Sequence, residues 1–149
     1  RRTHDNLLYG TFGTFQTRRL MDPLTDLLIA LRLPPAAASV LSTLMREMKP
    51  MTLGELAEAT GYAKGHLSSA IRLLEEKSLV ERLRARRGRP LFRARERSLS
   101  KLVEERLREI YLYLRSVAAK TSSESVLDAV RVLETELSSL LRRLEEVEE

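Results

Sequence analysis

The side chains best able to do chemistry in this sequence are arginines. Eight of them (Arg82, Arg84, Arg86, Arg87, Arg89, Arg93, Arg95 and Arg97) fall within residues 81–97 beside only Glu81 and Glu96, a local charge of +6. A guanidinium stays protonated in proteins and presents its donors in a planar fork, so such a cluster binds phosphates and does not move protons. Other chemistries lack their parts. The chain has no cysteine, which removes disulfides, thiolate nucleophiles and thiolate metal sites together. His66 has only His4 as a second histidine, too little for a metal centre, so neither metal nor cofactor is expected. Ser68 and Ser69 have no activating base beside them. With no paired carboxylates and no phosphate-cradling glycine loop, the expectation is a protein that is not an enzyme.

A second polar group precedes the arginines. Lys64, Gly65, His66, Ser68, Ser69 and Arg72 fall within about three turns if the segment is helical, and their short or cationic side chains suit entry into the major groove of a duplex. Charge elsewhere is arranged to match. The whole chain of 149 residues carries +5, yet residues 124–149 hold eight acids against Arg131, Arg142 and Arg143, a balance of −5. A polyanion therefore meets the middle of the chain and avoids its end.

The elements that must position these groups are legible from period and punctuation. Residues 1–21 form an N-terminal arm with no clean period. At Asp22-Pro23 a helix start appears, with Asp22 to accept from free backbone amides and Pro23 at the first helical position. That helix runs to about residue 32, where Leu33-Pro34-Pro35 ends it. A second helix spans about 36–48 with Val40, Leu41, Leu44, Met45 and Met48 as its buried stripe, closed by Pro50. Thr52-Leu53-Gly54-Glu55 is a capping box opening a short helix over 53–59, which buries Leu53, Leu56 and Ala57 until Gly61 breaks it. A helix over 63–77 then turns Leu67, Ala70, Ile71 and Leu74 inward and the polar group outward.

After Ser78, LVERLRA and PLFRAR are short extended runs flanking Arg86-Arg87-Gly88-Arg89, a hairpin with glycine in its turn. Alternation places Leu83 and Ala85 with Phe92 and Ala94 toward the core, and Arg82, Arg84, Arg93 and Arg95 away from it. Helical period returns at Ser98, where Val103, Leu107, Ile110, Leu114 and Val117 are spaced 4, 3, 4, 3. Thr121-Ser122-Ser123-Glu124 reads as a break with a second capping box. Beyond it Val126, Val130, Leu133, Leu137, Leu140, Leu144 and Val147 keep the seven-residue repeat without a miss. A seam so regular calls for a partner helix, from the preceding helix, from a second copy, or from both.

This order of elements is that of a winged helix-turn-helix: mainly α with a small β-hairpin wing, followed by an antiparallel or coiled-coil pair of dimerisation helices. The domain reading is an arm over 1–21, a DNA-binding domain over 22–97 and a dimerisation segment over 98–149. Lys64, Gly65, His66, Ser68, Ser69 and Arg72 are the expected recognition-helix residues, and Arg84, Arg86, Arg87, Arg89 and Arg93 the expected wing residues. The seam residues Val103 to Leu114 and Val126 to Leu144 are the expected dimer contacts. Leu56-Ala57, Tyr62-Ala63-Lys64-Gly65-His66-Leu67-Ser68, Leu74-Glu75 and Leu79-Val80 resemble the winged helices of the MarR superfamily, particularly its GbsR-like and archaeal TrmB-like branches. Departures are Ala63, where that pattern has a serine cap, and Ser78, where it has a glycine before the wing.

The resemblance implies a homodimeric regulator of transcription that binds specific double-stranded DNA. A sequence-tolerant architectural DNA-binding protein and a winged-helix protein-interaction module are the alternatives. No apolar run is long enough to cross a membrane and no export signal is present, so a cytoplasmic, nucleoid-associated location is expected. A small-molecule effector, if one is used, must lie between helices. Asn6 and Gln16 are the single asparagine and the single glutamine, a thermophile-like scarcity.

Overall fold

The computed structural model describes residues 22–84 and 86–148. The N-terminal arm and Ala85 lie outside the described residues, as does the side chain of Arg86. Helix α1 (Pro23–Ala30) and helix α2 (Pro35–Glu47) are followed by a two-residue strand, β1 (Met51–Thr52). Helices α3 (Leu53–Thr60) and α4 (Lys64–Glu76) lead into strands β2 (Val80–Arg84) and β3 (Pro90–Ala94). Two long helices end the chain, α5 (Ser98–Lys120) and α6 (Glu124–Glu148). The strands form one antiparallel sheet in the order β1-β3-β2. Two compact units divide between Glu96 and Arg97. No helix among the described residues is long and apolar enough to cross a membrane.

The core of the first unit is built from one side of each helix. Leu28 of α1, Val40, Leu41 and Leu44 of α2, Leu56 of α3, and Leu67, Ile71 and Leu74 of α4 are buried together with Leu79, Val80 and Phe92. Burying each large side chain is worth about 1.5–3 kcal/mol. This decides how α4 forms: Ala63 at its N-cap provides no side-chain hydrogen bond, but the lost cap, about 1 kcal/mol, is small beside three buried leucine and isoleucine side chains.

Local capping follows the sequence at α3 and departs from it elsewhere. The Thr52 hydroxyl accepts from the Glu55 amide at 3.1 Å and the Glu55 carboxylate from the Thr52 amide at 3.0 Å. Hydrogen bonds from the Thr52 backbone and hydroxyl hold Glu55 below the ordinary carboxylate range. Gly61 ends the helix with φ 79°, a left-handed turn suited to glycine.

Asp22 stands at the N-cap of α1 but does not cap it. Its carboxylate instead takes the hydroxyls of Thr25 and Ser42, the latter at 3.1 Å, and pairs with Arg46 at 2.5 Å. Burial works against the Asp22 charge, but Thr25, Arg46 and Ser42 outweigh it and hold the carboxyl below its usual value. At the start of α6 the cap is Ser123, whose hydroxyl accepts from the Val126 amide at 3.4 Å, while Thr121 accepts from the Ser123 amide. A one-way cap by Ser123 thus stands in place of the expected capping box on Thr121 and Glu124.

Two further expectations are corrected. Met48 is not in the α2 stripe: the helix ends at Glu47, Met48 turns left-handed with φ 55°, and its side chain is 87% exposed. The wing register also differs by one residue from the expected alternation. Arg82 stands opposite Phe92 and Leu83 opposite Leu91, and directly opposed residues share a face. Leu83 therefore points away from buried Phe92, and Arg82 lies on the Phe92 side with its guanidinium 5.1 Å from the ring centre. A cationic side chain whose planar head covers an aromatic ring can occupy a face that alternation alone reserves for apolar residues.

In the second unit α5 and α6 pack together. Val130 and Leu141 are buried, and Leu127, Leu137 and Leu144 are half-buried. Arg97 donates to the Val147 carbonyl at 2.9 Å, and Arg108 reaches Glu104 at 2.9 Å and Glu145 at 3.5 Å. The other row of the α6 repeat is covered only at Leu140, which is half-buried, while Val126, Leu133 and Val147 are exposed, as is Val132.

Candidate nucleic-acid interface

Helix α4 presents its polar residues because its apolar ones are committed to the core. Leu67, Ala70, Ile71 and Leu74 are buried, and Lys64, Gly65, His66, Ser68, Ser69 and Arg72 are all exposed. The structure separates these six by direction. Around the helix, Gly65, Ser69 and Arg72 lie opposite Leu67 and Leu74, with Ser68 close beside them and Lys64 and His66 on opposite flanks. The Lys64 ammonium rests over the first turn of α3, 3.8 Å from where a Cβ on Gly54 would stand. His66 packs edge-on to Tyr62, ring centres 5.1 Å apart. Ser68 donates to the Lys64 carbonyl at 3.1 Å, which leaves its oxygen to accept. Arg72 has no carboxylate partner among the described residues.

The wing sorts its arginines in the same way. Arg93 donates to Glu81 at 2.8 Å, and Arg95 lies 3.8 Å from the same carboxylate. Arg82 pairs with Glu75 at 3.0 Å besides covering Phe92. Arg84, Arg87 and Arg89 are exposed and meet no carboxylate among the described residues. The turn itself projects Arg87, whose φ is 66°, and the following Gly88 has φ 74°. The register places Arg84 and Arg93 on opposite faces of the hairpin. Apart from Arg86, whose side chain lies outside the described residues, the candidate wing residues therefore divide into Arg84, Arg87 and Arg89, which meet no acid among the described residues, and Arg93, which is held by Glu81. Sequence periodicity did not separate them, because the division depends on which strand residues stand opposite each other.

No group of three or more potential metal ligands occurs among the described residues. The expected seam residues are distributed over both covered and open faces. Val103, Leu107, Leu114, Leu137, Leu140 and Leu144 are half-buried and Val130 is buried, whereas Ile110, Val126 and Leu133 are exposed. Tyr113 is also exposed, and Tyr111 lies under the Arg115 guanidinium, 6.0 Å from its ring centre. Glu145 takes part in the Arg108 cluster.

Residues 33–89 match the model of the MarR family. No curated protein matches the chain. A solved structure described as a transcriptional regulator is 20% identical with a TM-score of 0.54, the match covering 83% of this chain and 89% of the other. MepR, a transcription regulator of the Staphylococcus aureus multidrug efflux pump MepA, is 20% identical with a TM-score of 0.48, covering 89% and 98%. The transcriptional regulator BldR from Sulfolobus solfataricus is 17% identical with a TM-score of 0.46, covering 91% and 98%. The match is to the family as a whole and does not divide the GbsR-like from the TrmB-like branch. From the capped α3 through α4 to the arginine-tipped hairpin the chain folds as a winged helix, and most of this stretch lies within the residues that match the MarR-family model.

Proposed function

We propose that this chain regulates transcription by binding specific sites on double-stranded DNA as a homodimer, in the cytoplasm and without catalytic activity. The observation that carries the reading is the sorting of cations in the first unit. Arg82, Arg93 and Arg95 are spent on Glu75 and Glu81, whereas Arg72 on α4 and Arg84, Arg87 and Arg89 on the wing have no acid among the described residues. Charges left without internal partners on one helix and one hairpin suit a major groove and its neighbouring phosphates or minor groove. The MarR-family match and the similar structure described as a transcriptional regulator support this reading.

The second unit supports two copies. Packing of α5 on α6 covers one row of the α6 repeat and leaves Leu133 52% and Val147 67% exposed. On α5, Leu112, Tyr113 and Val117 are open as well. A partner copy that buries these residues also provides the second recognition helix that tight specific binding needs, with half-sites spaced by about one DNA turn, roughly 34 Å.

The test combines sedimentation with duplex binding. The unmodified chain is expected to sediment as a dimer at micromolar concentration and to select an inverted repeat from random duplexes. Leu133→Asp, on an exposed position, should give folded monomers that bind weakly and ignore half-site spacing. Equal affinity for all sequences would assign the chain to architectural binding, and no duplex binding at low salt would assign it to protein docking.

A further inference from the structure

Arg72 holds a position on α4 that no other side chain shares. It lies on the outward line opposite buried Leu67 and Leu74, and on that line it is the one residue with several hydrogen-bond donors. The Glu76 carboxylate one turn further on does not pair with it, and no partner takes the guanidinium fork among the described residues. The other donors of the helix are placed differently. The Lys64 ammonium lies back over α3, His66 is on the flank against Tyr62, and the Ser68 hydroxyl hydrogen is directed to a backbone carbonyl.

The base edges of the major groove ask for different partners. Guanine offers two acceptors, N7 and O6, which a guanidinium fork engages together; adenine offers an acceptor and a donor, N7 and the N6 amine, which an asparagine or glutamine amide engages together. The chain contains one asparagine and one glutamine, at positions 6 and 16, and none on α4. The helix thus carries the reader for guanine and lacks the bidentate reader for adenine. Ser68 and Ser69 can make single contacts with either an adenine or a cytosine amine, which discriminate less.

Resting on the reading of α4 as the recognition helix, we propose that Arg72 reads one guanine in each half-site and is the main determinant of sequence preference. The duplexes this protein selects are then defined in the major groove by guanine positions, with adenines there contributing little direct readout.

The test starts from a randomised duplex library selected with the full chain. The enriched duplex is then remade with 7-deazaguanine or 7-deazaadenine at one position at a time, which removes the N7 acceptor and keeps base pairing. One guanine in each half-site should show a loss of about fivefold or more, the lower end of what a bidentate contact discriminates. Arg72→Ala, which removes the contact from both half-sites, should weaken binding to the enriched duplex by roughly 30-fold or more and become indifferent to that 7-deazaguanine. Arg72→Gln should shift the preferred base at the position from guanine to adenine. Because Arg72 is exposed, both variants should melt with the parent, which separates a binding defect from a folding defect. Largest losses at adenines, or a guanine effect that persists in Arg72→Ala, would overturn the assignment. A library that yields bound but unenriched duplexes would overturn it too, and one that yields no bound duplex would overturn the DNA reading beneath it.

Discussion

Replacing Gly65 with alanine is expected to move folding and DNA affinity in opposite directions. Gly65 is the second residue of α4 and faces outward. A Cβ built on it meets no atom of the described residues within 4 Å, and its φ is not positive. Neither packing among the described residues nor backbone conformation requires glycine there. Glycine in a helix costs roughly 0.5–1 kcal/mol relative to alanine. Because that cost is the one for a helix interior and Gly65 lies in the first turn, Gly65→Ala should stabilise the protein by at most that amount, up to about 4 °C in melting temperature for a chain of this size. If α4 enters a groove by this face, the same methyl meets the duplex. An added methyl in a closely packed contact costs about 1–3 kcal/mol, which is roughly 5- to 150-fold in affinity for each half-site. Calorimetry gives the first quantity, and fluorescence anisotropy on the selected duplex the second. A variant that melts higher and binds undiminished would refute close approach along this face. A variant that melts lower would refute the open-space argument itself.

Three other perturbations follow from local geometry. Ala63 has the extended backbone of an N-cap, φ −67° and ψ 147°, without a capping side chain; Ala63→Ser should add about 1 kcal/mol to stability in urea unfolding. Ser78 has φ 59°, a left-handed conformation that costs a non-glycine residue about 1–2 kcal/mol, so Ser78→Gly should raise stability by roughly 0.5–1 kcal/mol after glycine's own entropic cost. Asp22 has a folded-state pKa below its ordinary 3.8, so its contribution is complete above that value and is lost as pH falls through the folded pKa. The melting difference between the parent and Asp22→Asn should be largest near neutrality and shrink below pH 3.8, and a difference that grows on acidification would contradict the sign.

Helix positions and the helix-turn-helix were legible in the sequence because a 3.6-residue period, the Thr52–Glu55 box and Gly61 all act locally. What escaped depends on partners far along the chain. β1 was missed because two residues, Met51 and Thr52, show no period; they become a strand only by pairing with Leu91 and Phe92. The wing alternation was read one residue out of register because Arg82 covers Phe92 and occupies a face that hydrophobicity reserves for Leu83. Met48 continued the apolar stripe on paper but stands one residue past the end of α2. The division of the arginines into paired and free sets was invisible for a similar reason, since Glu81 selects Arg93 by strand pairing across the hairpin.

The most direct measurement is the dependence of duplex affinity on salt concentration for three proteins: the parent, Arg84→Ala/Arg87→Ala/Arg89→Ala, and Arg93→Ala. Each phosphate contact contributes about 0.9 to the slope of log affinity against log salt. Removal of the three free arginines from both protomers of the dimer should make the slope shallower by roughly 5 units, while removal of Arg93, held by Glu81, should leave it near the parent value. An unchanged slope in the triple variant, or an equal loss per arginine in Arg93→Ala, would contradict the account.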